Sequence, residues 1–340
     1  MSFRLTGRAW IAVAVVVAAA ITFLYSLTQH SRSRGSGDTQ VEIGVLVEHS
    51  GRQLESSFTQ LLALDTARLR IREILPPGIG SASSWLPDSL DVLVVLGSGH
   101  LPDARLYELD QFIMSGGRAA FFLDGAALSE DRTKTETVRG NLFAYVGKYG
   151  ATTEPDIVID PESSSTAHGL GSNDRPYAFW PLGVPGRGDA AEAIMPADRT
   201  TFTWCSSVTA TGQGGAELQT VASSSPTSWS TIAFADVSPE VEPEPRPALP
   251  GDETEEKRGE RVLAVAIEGS VASAFRGMPV IVEDADGSVE FTEPRNRLNV
   301  SAPTRILVCG SSTMFEDWIV ERVPANLTFL RNALVWLGSE

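Results

Sequence analysis

Residues 91–125 read DVLVVLGSGHLPDARLYELDQFIMSGGRAAFFLDG, and this stretch decides the predicted fold. Its two ends, 91–97 and 118–125, are short and continuously apolar, which is typical of strands buried on both faces of a parallel sheet. Between them, Pro102 and the Gly116-Gly117 pair mark the start and the end of a helix. Its apolar residues recur at helical spacing: Leu106, Leu109, Phe112 and Ile113. The stretch therefore predicts a strand–helix–strand unit.

The same alternation continues on both sides of this unit. Further strands are predicted at 41–47, 68–74, 157–161, 262–269 and 306–310, and further helices at 54–64, 142–149 and 326–337. Strands that alternate with helices predict a doubly wound, mostly parallel α/β sheet. We expect the glutamine-amidotransferase-like or flavodoxin-like form of this fold over residues 41–340.

Residues 162–261 interrupt the pattern and are predicted to form a less regular insertion. They are rich in Ser, Gly and Pro, and their large apolar residues are isolated. Within them, residues 238–260 combine many prolines with many acids and cannot bury enough apolar surface to order themselves. This part is predicted to be a disordered acidic loop.

The N-terminus predicts a membrane anchor. Residues 10–27 carry no charge, and their length is near the roughly 20 residues that cross a bilayer as a helix. We predict a cytoplasmic tail at 1–9, one transmembrane helix at 10–28, a linker at 29–40 and an extracytoplasmic domain at 41–340. The chain would then be a single-pass protein of the cytoplasmic (inner) membrane with a periplasmic domain. A cleaved signal peptide is the alternative.

Charge argues against a nucleic-acid partner. The first 34 residues hold four arginines, so the remainder keeps 23 of the 27 basic residues against all 43 acidic ones. A phosphate backbone needs clustered Lys and Arg, and the sequence after residue 34 contains no such run.

Four stretches, in order, resemble the GldG-like family, the gliding-motility-associated auxiliary components of ABC transporters. They are the βαβ stretch 91–125, YGATTEPDIVIDP at 149–161, LAVAIEGSVASAF at 263–275, and RILVCGSS at 305–312 with NLTFLRNALVWL at 326–337. The resemblance implies a substrate-binding-like accessory subunit whose partners are an ABC-type permease and, through it, a cytoplasmic ATPase. Members of that family commonly continue into a second transmembrane helix after the closing Trp-Leu.

The candidate site residues follow the predicted strands. Ligands of open α/β sheets bind outside the carboxyl ends of the strands. Three turns follow predicted strands at such ends, and we expect them to form a crevice for a ligand or a partner. The first turn contains Gly97, Ser98, Gly99 and His100, the second Asp124 and Gly125, and the third Gly310 and Ser311.

Catalysis is not expected from these residues. In amidotransferase-like folds a nucleophilic cysteine follows the second strand, and here Asp124-Gly125 stands in its place. Ser98 and His100 could form a nucleophile–base pair, but a Gly-rich turn explains them better. No Gly-Lys-Ser or Gly-Lys-Thr occurs, so the chain does not hydrolyse ATP itself. The alternative function is an extracytoplasmic ligand-binding protein or a hydrolase that acts on envelope glycans or peptides.

No metal or cofactor is expected either. The four histidines are scattered singly, and neither they nor the two cysteines have the spacing of a zinc site. Cys205 and Cys309 could pair in an oxidising compartment, and the sequence leaves that question open.

Overall fold

The computed structural model describes residues 40–47, 64, 68–74, 85–138, 140–166, 175–212, 215–232, 234–245, 258–283, 288–294 and 296–339. The chain divides into two units, residues 1–40 and 41–340, and every described helix and strand belongs to the second.

The strands and helices have the following bounds. The described strands are β1 (Val41–Val47), β2 (Leu69–Glu73), β3 (Val92–Leu96), β4 (Arg118–Phe122), β5 (Ala126–Leu128), β6 (Thr135–Thr137), β7 (Ala151–Thr153), β8 (Asp156–Ile159), β9 (Ser164–Thr166), β10 (Pro176–Pro181), β11 (Val184–Pro185), β12 (Val208–Ala210), β13 (Glu217–Ser223), β14 (Trp229–Ile232), β15 (Val262–Gly269), β16 (Val280–Glu283), β17 (Val289–Thr292) and β18 (Thr304–Cys309). The described helices are α1 (Asp103–Met114), α2 (Leu142–Val146), α3 (Asp189–Ile194), α4 (Asp317–Val320) and α5 (Pro324–Gly338), with 3₁₀ turns at Gly147–Tyr149 and Thr313–Phe315.

An eight-stranded mixed sheet forms the centre of this unit, in the order β11-β13-β15-β18-β4-β3-β1-β2. The five strands from β18 to β2 run parallel to one another. The other three pair antiparallel: β15 with β18, β13 with β15 and β11 with β13. The described strands also form five two-stranded antiparallel sheets: β5-β6, β7-β12, β8-β14, β9-β10 and β16-β17.

The continuous apolar run of β3 explains why it lies near the middle of the sheet. Its five residues are all buried, and successive side chains of a strand point to opposite faces. Val92, Val94 and Leu96 join a core that includes the inner faces of α3 and α5. Leu93 and Val95 join a second core, which includes α1 and α2. A strand with a core on each face requires apolar residues at every position.

The predicted doubly wound, mostly parallel α/β fold is wrong. One edge of the sheet is antiparallel, all five small sheets are antiparallel, and only two described helices, α1 and α5, exceed ten residues. The error arises at β15, whose apolar run predicted another parallel strand. An antiparallel strand that is covered on both faces has the same continuous apolar sequence. The sequence pattern therefore predicts that a strand is buried, but it does not predict the direction in which the strand runs.

The transmembrane helix in the predicted fold class is also not found. In the described part of the chain, no helix is long and apolar enough to cross a membrane. The segment predicted for that role, 10–28, lies outside the described residues, as do the predicted tail 1–9 and nearly all of the linker 29–40. Also outside them are 246–257 of the predicted acidic loop and most of the predicted helix 54–64.

Candidate functional site

A cleft of about 270 Å³ opens at the carboxyl ends of β3, β4 and β18. These three strands are parallel neighbours, so the turns that follow them meet at one edge of the sheet. The β5-β6 pair, which follows β4, forms a second wall. The residues that line the cleft are Gly97, Ser98, Asp124, Ala126, Ala127, Leu128, Ser129, Glu130, Arg132, Glu136, Val138, Ser312, Thr313 and Glu316.

The turn after β3 supplies Gly97 and Ser98. Gly97 has a φ of 95°, which favours glycine, and its N–H donates to the carbonyl oxygen of Phe122 at 2.9 Å. Ser98 is only 5% exposed, and its Oγ has no hydrogen-bond partner among the described residues. An unsatisfied buried hydroxyl is rare enough in folded proteins to require an explanation.

Asp124 connects the turn after β4 to the turn after β18. Its carboxylate accepts the backbone N–H of Ser312 at 2.7 Å and also the Ser312 hydroxyl. Hydrogen bonding to two donors fixes the position of this carboxylate.

Arg132 and Glu316 close one side of the cleft. An Arg132 Nη2 lies 2.8 Å from a Glu316 Oε2, and the guanidinium stacks over the Trp318 ring at 4.7 Å. The Trp318 indole donates to the same Glu316 oxygen. Arg132 also has a φ of 57°, a strained conformation for a non-glycine residue, which its contacts maintain. The sequence did not single out this group, because its members come from distant segments.

Two carboxylates at the cleft, Glu130 and Glu136, are exposed. Within the described residues, no Lys or Arg forms an ion pair with either of them. Four carboxylates therefore line the cleft against one guanidinium, which is already paired with Glu316.

Of the eight predicted site residues, the structure brings Gly97, Ser98 and Asp124 together at the cleft. Gly99 and His100 are absent from its lining: Gly99 is buried and His100 is exposed. Since the Ser98 Oγ has no partner, the suggested nucleophile–base pair with His100 is not formed in this structure.

The remaining three predicted residues, Gly125, Gly310 and Ser311, are absent from the cleft lining and pack against other segments of the chain. A Cβ on Gly125 would lie 1.8 Å from the Glu154 carbonyl oxygen, and one on Gly310 would lie 1.9 Å from the Ser206 carbonyl oxygen. The Ser311 hydroxyl donates to the carbonyl oxygen of Thr203 at 2.7 Å. The close backbone contacts at Gly125 and Gly310 explain why these two positions are glycines, because a side chain would not fit there.

Cys205 and Cys309 are both free thiols. They are fully buried in the same apolar core. Burial raises the pKa of the Cys205 thiol, and it raises that of Cys309 to about 12, because a thiolate would be poorly solvated there. Neither thiol is a reactive nucleophile in this state.

Metal binding finds no support in the described part of the chain, where no cluster of three His, Cys, Asp or Glu side chains could hold an ion.

Comparison with known proteins places the chain in a family. No curated protein matches the sequence. Among solved structures, the mmIFT52 N-terminal domain is similar at 13% identity with a TM-score of 0.49, covering 86% of this chain and all of that one. The family model described as ABC-type uncharacterized transport system matches residues 40–339. Because this match spans almost the whole chain after the N-terminal segment, the protein belongs to that family of auxiliary components of ABC-type transport systems.

Proposed function

We propose that this protein is a non-catalytic accessory subunit of an ABC transporter, whose folded domain docks on the permease at the extracytoplasmic side. The observation that carries the proposal is the family match over residues 40–339, which includes every described helix and strand. An auxiliary role thus belongs to the folded domain as a whole.

The chemistry of the cleft favours a binding role over a catalytic one. Hydrolysis by a serine requires a base within hydrogen-bond reach of the hydroxyl, and the Ser98 Oγ contacts none among the described residues. Of the lining acids, Asp124 is held by Ser312, and Glu316 is held by Arg132 and Trp318. Neither has the free, paired geometry of a general acid and base.

The partners follow from what the sequence contains and lacks. Because it has no nucleotide-binding lysine loop, a separate cytoplasmic ATPase would supply the energy. The uncharged segment 10–28 would hold the chain in the inner membrane beside the permease, with the domain on the periplasmic side.

The hairpin β16-β17 offers a surface for the permease. Ile281 pairs directly with Phe291, so both point to one face, and Val289 lies two residues from Phe291 on that same face. All three are exposed, Phe291 by 67%. On the opposite face of the hairpin, Val280 is buried and Val282 packs against the core that contains α1. An exposed apolar face on a packed hairpin is typical of a protein–protein contact.

Photo-crosslinking tests this function at the hairpin. With benzoylphenylalanine at position 291 of the full chain in its native membrane, we expect irradiation to join the chain to a multi-span permease, because the side chain would lie in the interface. Mass spectrometry of the adduct identifies the partner.

Position 234 provides the matched control, since Phe234 is an aromatic residue of similar exposure, 75%, on a different segment. Crosslinks from 291 to a permease, with none from 234, support the proposal. If position 291 instead gives adducts only with soluble enzymes or with nothing, the chain does not dock on a permease through this face.

A further inference from the structure

We propose that an extended segment of the permease pairs with the outer edge of β17 as an added strand, and that its residues there alternate apolar, basic, apolar. This inference rests on the proposed function, because it takes the hairpin β16-β17 as the docking surface. It adds to that function how the two chains would join and which side chains the partner would present.

Exposed apolar side chains are concentrated around this hairpin. The described residues include ten large apolar side chains that are exposed, and six of them lie within residues 278–300. These six are Met278, Ile281, Val289, Phe291, Leu298 and Val300. Apolar residues scattered singly over a surface are ordinary, whereas a group of them in one segment marks a contact surface. The hairpin is therefore the part of the described surface with the strongest reason to be covered.

β16 anchors the hairpin to the domain, and β17 projects beyond that contact. β16 lies against α1, and its Val280 is buried. Glu290 of β17 is paired with Val282 and so lies on this same inward side of the hairpin, yet it is exposed. Val289 and Phe291, on the other side, are exposed too. Since both faces of β17 are open over residues 289–291, the support beneath β16 does not extend to the outer edge of β17.

This outer edge has backbone groups without partners among the described residues. β17 pairs with β16 in a two-stranded sheet, and no other described strand pairs with it. No backbone hydrogen bond links residues 289–292 to any other described segment. An edge of this kind is a template for a strand of another chain, and prolines, lysines and bulges are common protections against such pairing. Residues 289–292 contain no proline or lysine, and their register with β16 is continuous.

The side chains of β17 determine which segment would fit beside it. Residues of an added strand lie opposite those of β17 and alternate between the same two faces. Opposite Val289 and Phe291, apolar residues would extend the cross-strand contact that Phe291 already makes with Ile281. Opposite Glu290, a Lys or Arg would form a favourable pair, because no described Lys or Arg makes an ion pair with this exposed carboxylate. The partner pattern is therefore apolar, basic, apolar.

Photo-crosslinking along β17 distinguishes strand addition from contact through one face. Benzoylphenylalanine is placed singly at positions 289, 290 and 291 of the full chain in its native membrane, and the adducts are mapped by mass spectrometry. An added strand passes both faces of β17, so all three positions should join neighbouring residues of one permease segment, in register order. Loss of the Glu290 charge should lower the yield from position 290 about threefold, which leaves it measurable.

Charge reversal at Glu290 tests the basic residue of the partner. With the crosslinker at position 291, Glu290→Lys should lower the yield of permease adduct about fivefold, because it replaces an opposite-charge pair with a like-charge pair. Glu192→Lys is the matched control. It reverses an exposed carboxylate on α3, which packs on the other core, and should leave the yield unchanged. Since both positions are exposed, both variants should fold normally.

Each contrary result overturns a different part of the account. Permease crosslinks from 289 and 291 with none from 290 would overturn strand addition and leave docking on the permease intact. The absence of any permease crosslink from 291 would overturn the docking itself, and this inference with it. Adducts between two copies of this chain would assign the edge to self-association instead. Equal yields from Glu290→Lys and Glu192→Lys would overturn the basic residue in the partner pattern.

Discussion

Trp180→Ala is expected to lower the free energy of unfolding by about 4 kcal/mol, the largest loss that we predict for a single substitution. Trp180 is fully buried. Its ring meets Trp204 edge to face, with centroids 5.3 Å apart, and lies 5.9 Å from that of Trp318. Its indole N–H has no partner among the described residues, so the loss comes from the apolar cavity that the substitution leaves. Denaturant unfolding followed by circular dichroism measures it.

Phe234→Ala is the control, because Phe234 is 75% exposed and its truncation should change stability by less than about 0.5 kcal/mol. A loss of under about 1 kcal/mol for Trp180→Ala would mean that this aromatic core is not packed as the structure has it.

Gly310→Ala is the second large effect, with an expected loss of about 3 kcal/mol. A Cβ at this position would lie 1.9 Å from the Ser206 carbonyl oxygen and 3.1 Å from the Cys205 Sγ. The Ser206 N–H donates to the Gly310 carbonyl oxygen at 2.8 Å, so the two backbone segments cannot separate without losing that hydrogen bond. Thermal and denaturant unfolding measure the loss.

Gly215→Ala is the matched glycine control. No atom of the described residues lies within 4 Å of its Cβ position, so the substitution should change stability by less than about 0.5 kcal/mol. The comparison also decides what Gly310 does. A stable Gly310→Ala protein with altered ligand binding would mean that Gly310 belongs to a binding turn, as the sequence suggested, and not to the packing.

The parts of the fold that local patterns determine could be predicted from the sequence. The 91–125 stretch forms β3, α1 and β4, and the amphipathic segment 326–337 lies within α5. Strand direction could not be predicted, because the buried run of β15 would look the same in either orientation. The antiparallel edge of the sheet depends on pairing with β13, a strand in the segment whose pattern was weakest.

The candidate site was predicted in part for a related reason. Ser98 and Asp124 follow parallel strands, so the rule that strand ends meet at one edge was enough to place them. Arg132 and Glu316 are 184 residues apart in sequence, and no spacing rule connects them. Gly310 and Ser311 also follow a strand, but a turn that packs against another segment has the same sequence as a turn that faces a ligand.

The most direct measurement of the central claim is co-purification of the full-length chain from its native membrane in mild detergent, with mass spectrometry of the proteins that accompany it. A chain that lacks residues 1–39 is run in parallel. The account predicts that a multi-span permease and an ATPase with a nucleotide-binding lysine loop accompany the full-length chain in fixed ratio, and that their recovery falls without residues 1–39. Recovery of the full-length chain alone, or with envelope hydrolases and no permease, would contradict an accessory role in an ABC transporter.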